Sequence, residues 1–98
     1  MRTISTYPQR NERGRDGDPI CDVYGIQLFT NRAIAVVADG CNWGEAPKGA
    51  AVTARDTVME FILARHNDIF TIEDAQVLLL RSICMAQRKV TEFNQTMV

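Results

Sequence analysis

Basic excess is missing from this chain: 11 lysines and arginines stand against 12 aspartates and glutamates in 98 residues, for a formal net charge of −1. A nucleic-acid partner selects for a basic face, and the arginines near the N-terminus are diluted by Glu12, Asp16 and Asp18, so nucleic acid is not an expected partner. Cysteine is scarce as well. Cys21, Cys41 and Cys84 are odd in number and lack metal-ligand spacing, which argues against a disulfide framework or a zinc site and points to a reducing compartment. No apolar run approaches the roughly 18 residues of a membrane span. The opening Met-Arg-Thr-Ile-Ser-Thr-Tyr-Pro has no apolar core of signal-peptide length. The expectation is no membrane association and a cytosolic or nuclear location.

What is present is enough apolar material, 46% of residues, for one small globular domain with a modest core. Residues 1–18 are polar, rich in Arg, Asn, Gly and Asp, and without periodicity, so they read as a flexible arm. Ile20 to Phe29 holds the strand formers Val23, Tyr24, Ile26, Leu28 and Phe29, with Gly25 marking a bulge or close packing. Thr30-Asn31-Arg32 then forms a three-residue connection to Ala33 to Ala38, and the two runs predict an antiparallel hairpin. Pro47 fits the first position of a helix, with Glu45 suited to its positive end. Ala50, Ala51, Ala54, Val58, Phe61 and Ile62 recur at helical spacing, predicting a helix to about His66. Thr71 and Asp74 form the N-terminal signature of a second helix, whose stripe runs through Ala75, Leu78, Leu79, Ile83, Ala86, Val90 and Phe93. Two helices back to back over a sheet are expected.

Chemistry concentrates where the strand Ile34-Ala35-Val36-Val37-Ala38 ends in Asp39-Gly40, followed by Cys41-Asn42-Trp43-Gly44. A run apolar on both strand faces reads as buried. The terminal carboxylate is then held on a rigid element, and Gly40, lacking Cβ, lets backbone come close to a ligand. This order of pieces, with Gly14 to Asp22 upstream and the small-residue helix start Glu45 to Ala51 downstream, resembles the metal-dependent protein phosphatases of type 2C. The likeness covers about Arg13 to Ile62.

The resemblance implies an α+β fold, the N-terminal part of an α-β-β-α sandwich in which a β-hairpin is followed by two antiparallel helices. It assigns residues 19–98 to a partial domain of this kind, since the family fold needs well over twice this chain. It further implies a pair of Mn2+ or Mg2+ ions that activate water for hydrolysis of phosphoserine or phosphothreonine in a phosphoprotein substrate. Carboxylate and carbonyl oxygens suit such ions. By motif, Asp39 corresponds to the bridging acid and the Gly40 carbonyl to a backbone ligand. Asp22 corresponds to an acid that anchors the site, although Cys21 stands where the family has Glu or Gln. Arg13 and Arg15 are both candidates for gripping the substrate phosphate; Arg13 has the usual spacing from Asp18 rather than from Asp22. The two remaining family aspartates would lie beyond Val98, so the chain alone is expected to be inactive.

Plainer roles stand beside each of these. Asp39-Gly40 also suits a strand-ending turn, Asp18 and Asp22 also suit solvated turns, and the arginines also suit a solvated surface. Trp43 is expected to pack on the adjoining helix, His66 to contact helix-terminal carbonyls, and Cys41 to be a small buried thiol. Two further readings follow. One is a non-catalytic pseudophosphatase-like module that docks a protein partner through the sheet face the helices leave uncovered; the other is an unrelated metal-free ββαα domain.

Overall fold

A computed structural model of the protein describes residues 21–40 and 44–96. Among these, two strands, β1 (Asp22–Leu28) and β2 (Ala33–Asp39), precede helix α1 (Glu45–Leu63), a short 3-10 turn (His66–Asp68) and helix α2 (Ile72–Thr96). The expected α+β order of hairpin and helix pair is the observed one.

The strands pair antiparallel, with Asp22 opposite Asp39, Gly25 opposite Val36 and Leu28 opposite Ala33. The connection is tighter than the three residues expected. The N–H of Phe29 donates to the carbonyl of Arg32 at 2.8 Å, leaving Thr30-Asn31 as a two-residue turn. Arg32 looks like loop by polarity, but its backbone closes the ladder. Gly25 makes no bulge. It sits in regular register, and a Cβ there would meet Met59 Cε at 3.4 Å and Arg55 Cδ at 3.5 Å, ordinary contact distances, so packing against α1 does not demand a glycine either.

A two-stranded hairpin is marginal by itself in water and needs a third element to cover one face. Helix α1 does this: Cys21 and Val23 are buried beneath it, and Ala51 and Ile62 are its own most buried residues. Burying a residue such as Ile62 contributes about 1.5–3 kcal/mol relative to exposure. The opposite face of the hairpin is open, with Ile26 45%, Leu28 71% and Val37 79% exposed. The sequence marked β2 as apolar on both faces; the described elements cover only one.

Helix α1 begins two residues earlier than Pro47. Gly44, with φ 112, occupies the cap position in a conformation L side chains rarely adopt, and Lys48 N–H donates to its carbonyl at 3.3 Å. Pro47 still falls in the first turn, where its missing N–H costs nothing. The helix stops at Leu63, short of His66.

Helix α2 starts with the expected box. Asp74 N–H donates to Thr71 Oγ1 at 3.0 Å, while Asp74 Oδ2 accepts from the N–H groups of Thr71 at 3.1 Å and Phe70 at 3.0 Å. The helices run antiparallel, with Phe93 near the end of α2 seated on Gly49 near the start of α1. Their arrangement corrects one expectation. Helix α1 packs on both strands and on α2, whereas α2 packs on α1 and barely reaches the hairpin. The two-stranded sheet is too narrow for two helices lying about 8–10 Å apart. Leu78, Ser82 and Ala86 are the buried positions of α2, and the hydroxyl of Ser82 is satisfied by the Leu79 carbonyl at 2.7 Å.

Candidate functional site

The hairpin register brings together the two acids that the sequence placed 17 positions apart. Gly40 N–H donates to the carbonyl of Cys21 at 3.3 Å, which makes Cys21 and Gly40 a hydrogen-bonded pair. Antiparallel pairs alternate, so Asp22 and Asp39, one step along, form a non-hydrogen-bonded pair. In such pairs the side chains lie on one face and at closest approach. Turn length decides this. A three-residue loop would slip the ladder by one position and set Asp22 against Gly40, with the two carboxylates on opposite faces.

Like charges directly opposite on a sheet repel. The carboxyl of Asp22 is raised above the ordinary value of 3.8. A hydrogen bond to Asp39 is the main cause, followed by partial desolvation and the Asp39 charge. Both residues are exposed. This is a paired, outward-facing carboxylate site at the rim of the open sheet face.

Gly40 has a different job from the one expected. A Cβ there would lie 2.5 Å from the carbonyl oxygen of Pro47 and 2.9 Å from Cys21 Cβ. The missing side chain gives its space to the first turn of α1, not to a ligand. Beside Gly40 runs a cleft of about 430 Å³, bounded by Ala38, Asp39, Gly40, Pro47, Val90 and Asn94. Asn94 is the polar side chain that sequence reasoning overlooked. It follows Val90 by one helical turn, so the extended α2 stripe was the signal for it.

Arg13, Arg15, Asp18, Cys41 and Trp43 lie outside the described residues. Two acids of α2 have local roles: the Asp74 carboxylate caps the helix start, and Glu92 lies 3.7 Å from Lys89. Cys21 is buried, with its Sγ 3.6 Å from the Gly44 carbonyl oxygen, and acts as a packed thiol beneath the site. His66 departs from expectation. Its ring stacks on Phe29 at 4.3 Å, and its Nδ1 is buried without a hydrogen-bond partner instead of binding helix-terminal carbonyls.

Among the described residues no three His, Cys, Asp or Glu side chains cluster. The donor set at the hairpin end is therefore two carboxylates and one backbone carbonyl. All are hard oxygen donors, and the two acids carry a mutual repulsion that a divalent cation would relieve. That chemistry fits Mg2+ or Mn2+ held largely by water. Comparison of the chain with protein-family models, curated proteins and solved structures finds no match. No described helix is long and apolar enough to cross a membrane.

Proposed function

We propose that this chain contributes the hairpin half of a phosphomonoesterase centre that uses Mn2+ or Mg2+, like the type 2C Ser/Thr phosphatases it resembles. The observation that supports the reading is the register of the hairpin, which sets Asp22 directly across from Asp39 beside the Gly40 carbonyl. Asp39 and Asp22 would hold the metal through carboxylate oxygens, and Gly40 through its carbonyl. When bound, the ions would supply charge neutralisation at a phosphate and a more acidic water. Of this chain's own groups, Arg13 and Arg15 are the proposed phosphate contacts, and a phosphoprotein is the proposed substrate. Two oxygen ligands beyond those described are needed for a two-ion centre, so the chain by itself is proposed to be inactive.

A Mn2+ titration followed by thermal melts and electron paramagnetic resonance tests the site. Wild type should bind Mn2+ weakly and melt higher with it, and both effects should vanish in Asp39→Asn. Equal Mn2+ binding by the variant would remove the basis of the reading. Hydrolysis of p-nitrophenyl phosphate by the chain alone, lost in Asp39→Asn, would instead show a working centre.

A second reading is favoured by a separate observation, the exposure of Ile26, Leu28 and Val37 on the open sheet face. In that reading the chain is a non-catalytic module that binds a protein through this face. Mn2+-independent complex formation, lost on Val37→Asp, is its signature.

A further inference from the structure

The ladder that unites β1 and β2 uses only one edge of β2. Since Cys21 and Gly40 form a hydrogen-bonded pair, the residues of β2 with the same parity as Gly40, namely Ile34, Val36 and Ala38, turn their N–H and C=O groups toward β1. Ala33, Ala35, Val37 and Asp39 turn theirs the other way. Among the described residues nothing pairs with that second edge. It is seven residues long and has no proline, lysine or bulge, the features that usually blunt an exposed edge.

Beside this edge lies a groove of about 610 Å³, floored by Val58, Ile62, Ile69, Leu79 and Ile83, with Arg32 at one end. Leu79 and Ile83 are 52% and 59% exposed although they lie on the stripe of α2 that turns toward the sheet side. Helix α2 thus overhangs a space next to β2 that no described element fills. With helices about 8–10 Å apart and strands about 4.8 Å apart, the overhang has room for one or two further strands.

We infer that the free edge of β2 accepts an added β-strand from a partner polypeptide, a bare extended segment with apolar residues at alternate positions and an acid next to Arg32. Backbone pairing with Ala33, Ala35, Val37 and Asp39 supplies the attraction, and the α1–α2 groove reads alternate side chains. Charge complementarity sets the register. Among the described residues that line the groove Arg32 is the only charged one; one of its N–H groups donates to the His66 carbonyl, and no described carboxylate lies within 4.0 Å of it. A second copy of this chain does not fit. Antiparallel pairing of two β2 strands keeps both helix layers on the same face, and the α1 of the second copy would occupy the space under α2. The inference rests on the ladder and on α2, and not on the metal-centre reading.

The probe is an acetylated and amidated octapeptide of alternating threonine and valine that ends in glutamate. Paired antiparallel, its valines oppose Ala38, Val36 and Ile34, and its glutamate opposes Arg32. The control is the same peptide N-methylated at its third and fifth residues, the ones whose N–H groups would face β2. Binding is measured by fluorescence anisotropy in EDTA, which separates the outcome from that of the Mn2+ experiment. The expected result is saturable binding of the parent peptide, weakened at least tenfold by N-methylation and by Val37→Pro. That proline removes an outward N–H and leaves the β1 ladder intact. Should Val37→Pro fail to fold by circular dichroism, Ile83→Lys, at an exposed groove position, serves in its place with the same expected loss. Failure of the parent peptide to bind, equal binding of the N-methylated peptide, or a concentration-dependent homodimer that Ile83→Lys abolishes would each overturn the inference.

Discussion

The ring of Phe29, at the turn of the hairpin, lies 4.3 Å from the ring of His66, in the linker between the helices, with the planes tilted by 31°. Beside it an Arg32 N–H donates to the His66 carbonyl. These contacts tie the far end of the hairpin to the helix pair, 34 residues on in the sequence. His66→Ala should cost about 0.5–1.5 kcal/mol in urea unfolding from the lost ring pair. His66→Phe should match or exceed wild type, because it keeps a ring there and removes a buried nitrogen with no partner. If both variants lose stability equally, the ring contact is not what holds the turn.

Two glycines in the hairpin make opposite predictions. At Gly40 an added methyl meets backbone, the Pro47 carbonyl at 2.5 Å, which cannot swing aside. Gly40→Ala should destabilise by about 1–3 kcal/mol. At Gly25 the nearest atoms are the mobile ends of Met59 and Arg55 at 3.4–3.5 Å. Gly25→Ala should be neutral or stabilise by up to about 1 kcal/mol, through a less flexible unfolded chain. Denaturant midpoints of the two variants settle the contrast.

The pH dependence of stability should carry two opposing signatures. Asp22 is raised above 3.8 in the folded state, so the native protein holds that proton more tightly than the unfolded chain. Its contribution is complete below the ordinary aspartate range and is lost as pH rises through the elevated folded value. Asp74 behaves conversely. The Phe70 and Thr71 N–H groups hold its carboxylate below 3.8. Its contribution exists above the ordinary value and is lost as pH falls through the depressed one. Asp22→Asn should therefore raise the melting temperature at pH 7 and not at pH 3, while Asp74→Asn should lower it at pH 7 and lose that effect under acid.

Thr71→Ala removes the hydroxyl that accepts from Asp74 N–H and should cost about 0.5–2 kcal/mol. Thr71→Ser should restore most of it. Helicity measured by far-ultraviolet circular dichroism should decline with Thr71→Ala under mild denaturant and recover in the serine variant.

Much of this architecture is legible in residue types. The strand formers of Ile20 to Phe29, the apolar run Ala33 to Ala38, the helical stripes and the Thr71–Asp74 box locate four elements to within a few residues, because each is a local pattern with a local cause. What local pattern does not reveal is who occupies a space. Gly40 advertises a close approach, but only the path of the chain after it decides that the Pro47 carbonyl is the neighbour. The pairing of Asp22 with Asp39 depends on whether Arg32 joins the ladder or the loop, and a polar residue suits either. Likewise the α2 stripe of Leu79 and Ile83 predicts an apolar face without disclosing that the hairpin is too narrow to lie beneath it. The stacking of Phe29 on His66 joins segments with no shared periodicity, so nothing in the sequence foreshadows it.

The one-sided ladder also has a temporal signature. In native-state hydrogen exchange, amides of Ile34, Val36 and Ala38 are held against β1 and should exchange only when the hairpin opens. Those of Ala35, Val37 and Asp39 face outward and should exchange at rates near those of an unstructured peptide. Along β2, deuterium uptake should therefore flicker between slow and fast at every second residue, a rhythm that a one-residue slip of the turn would invert.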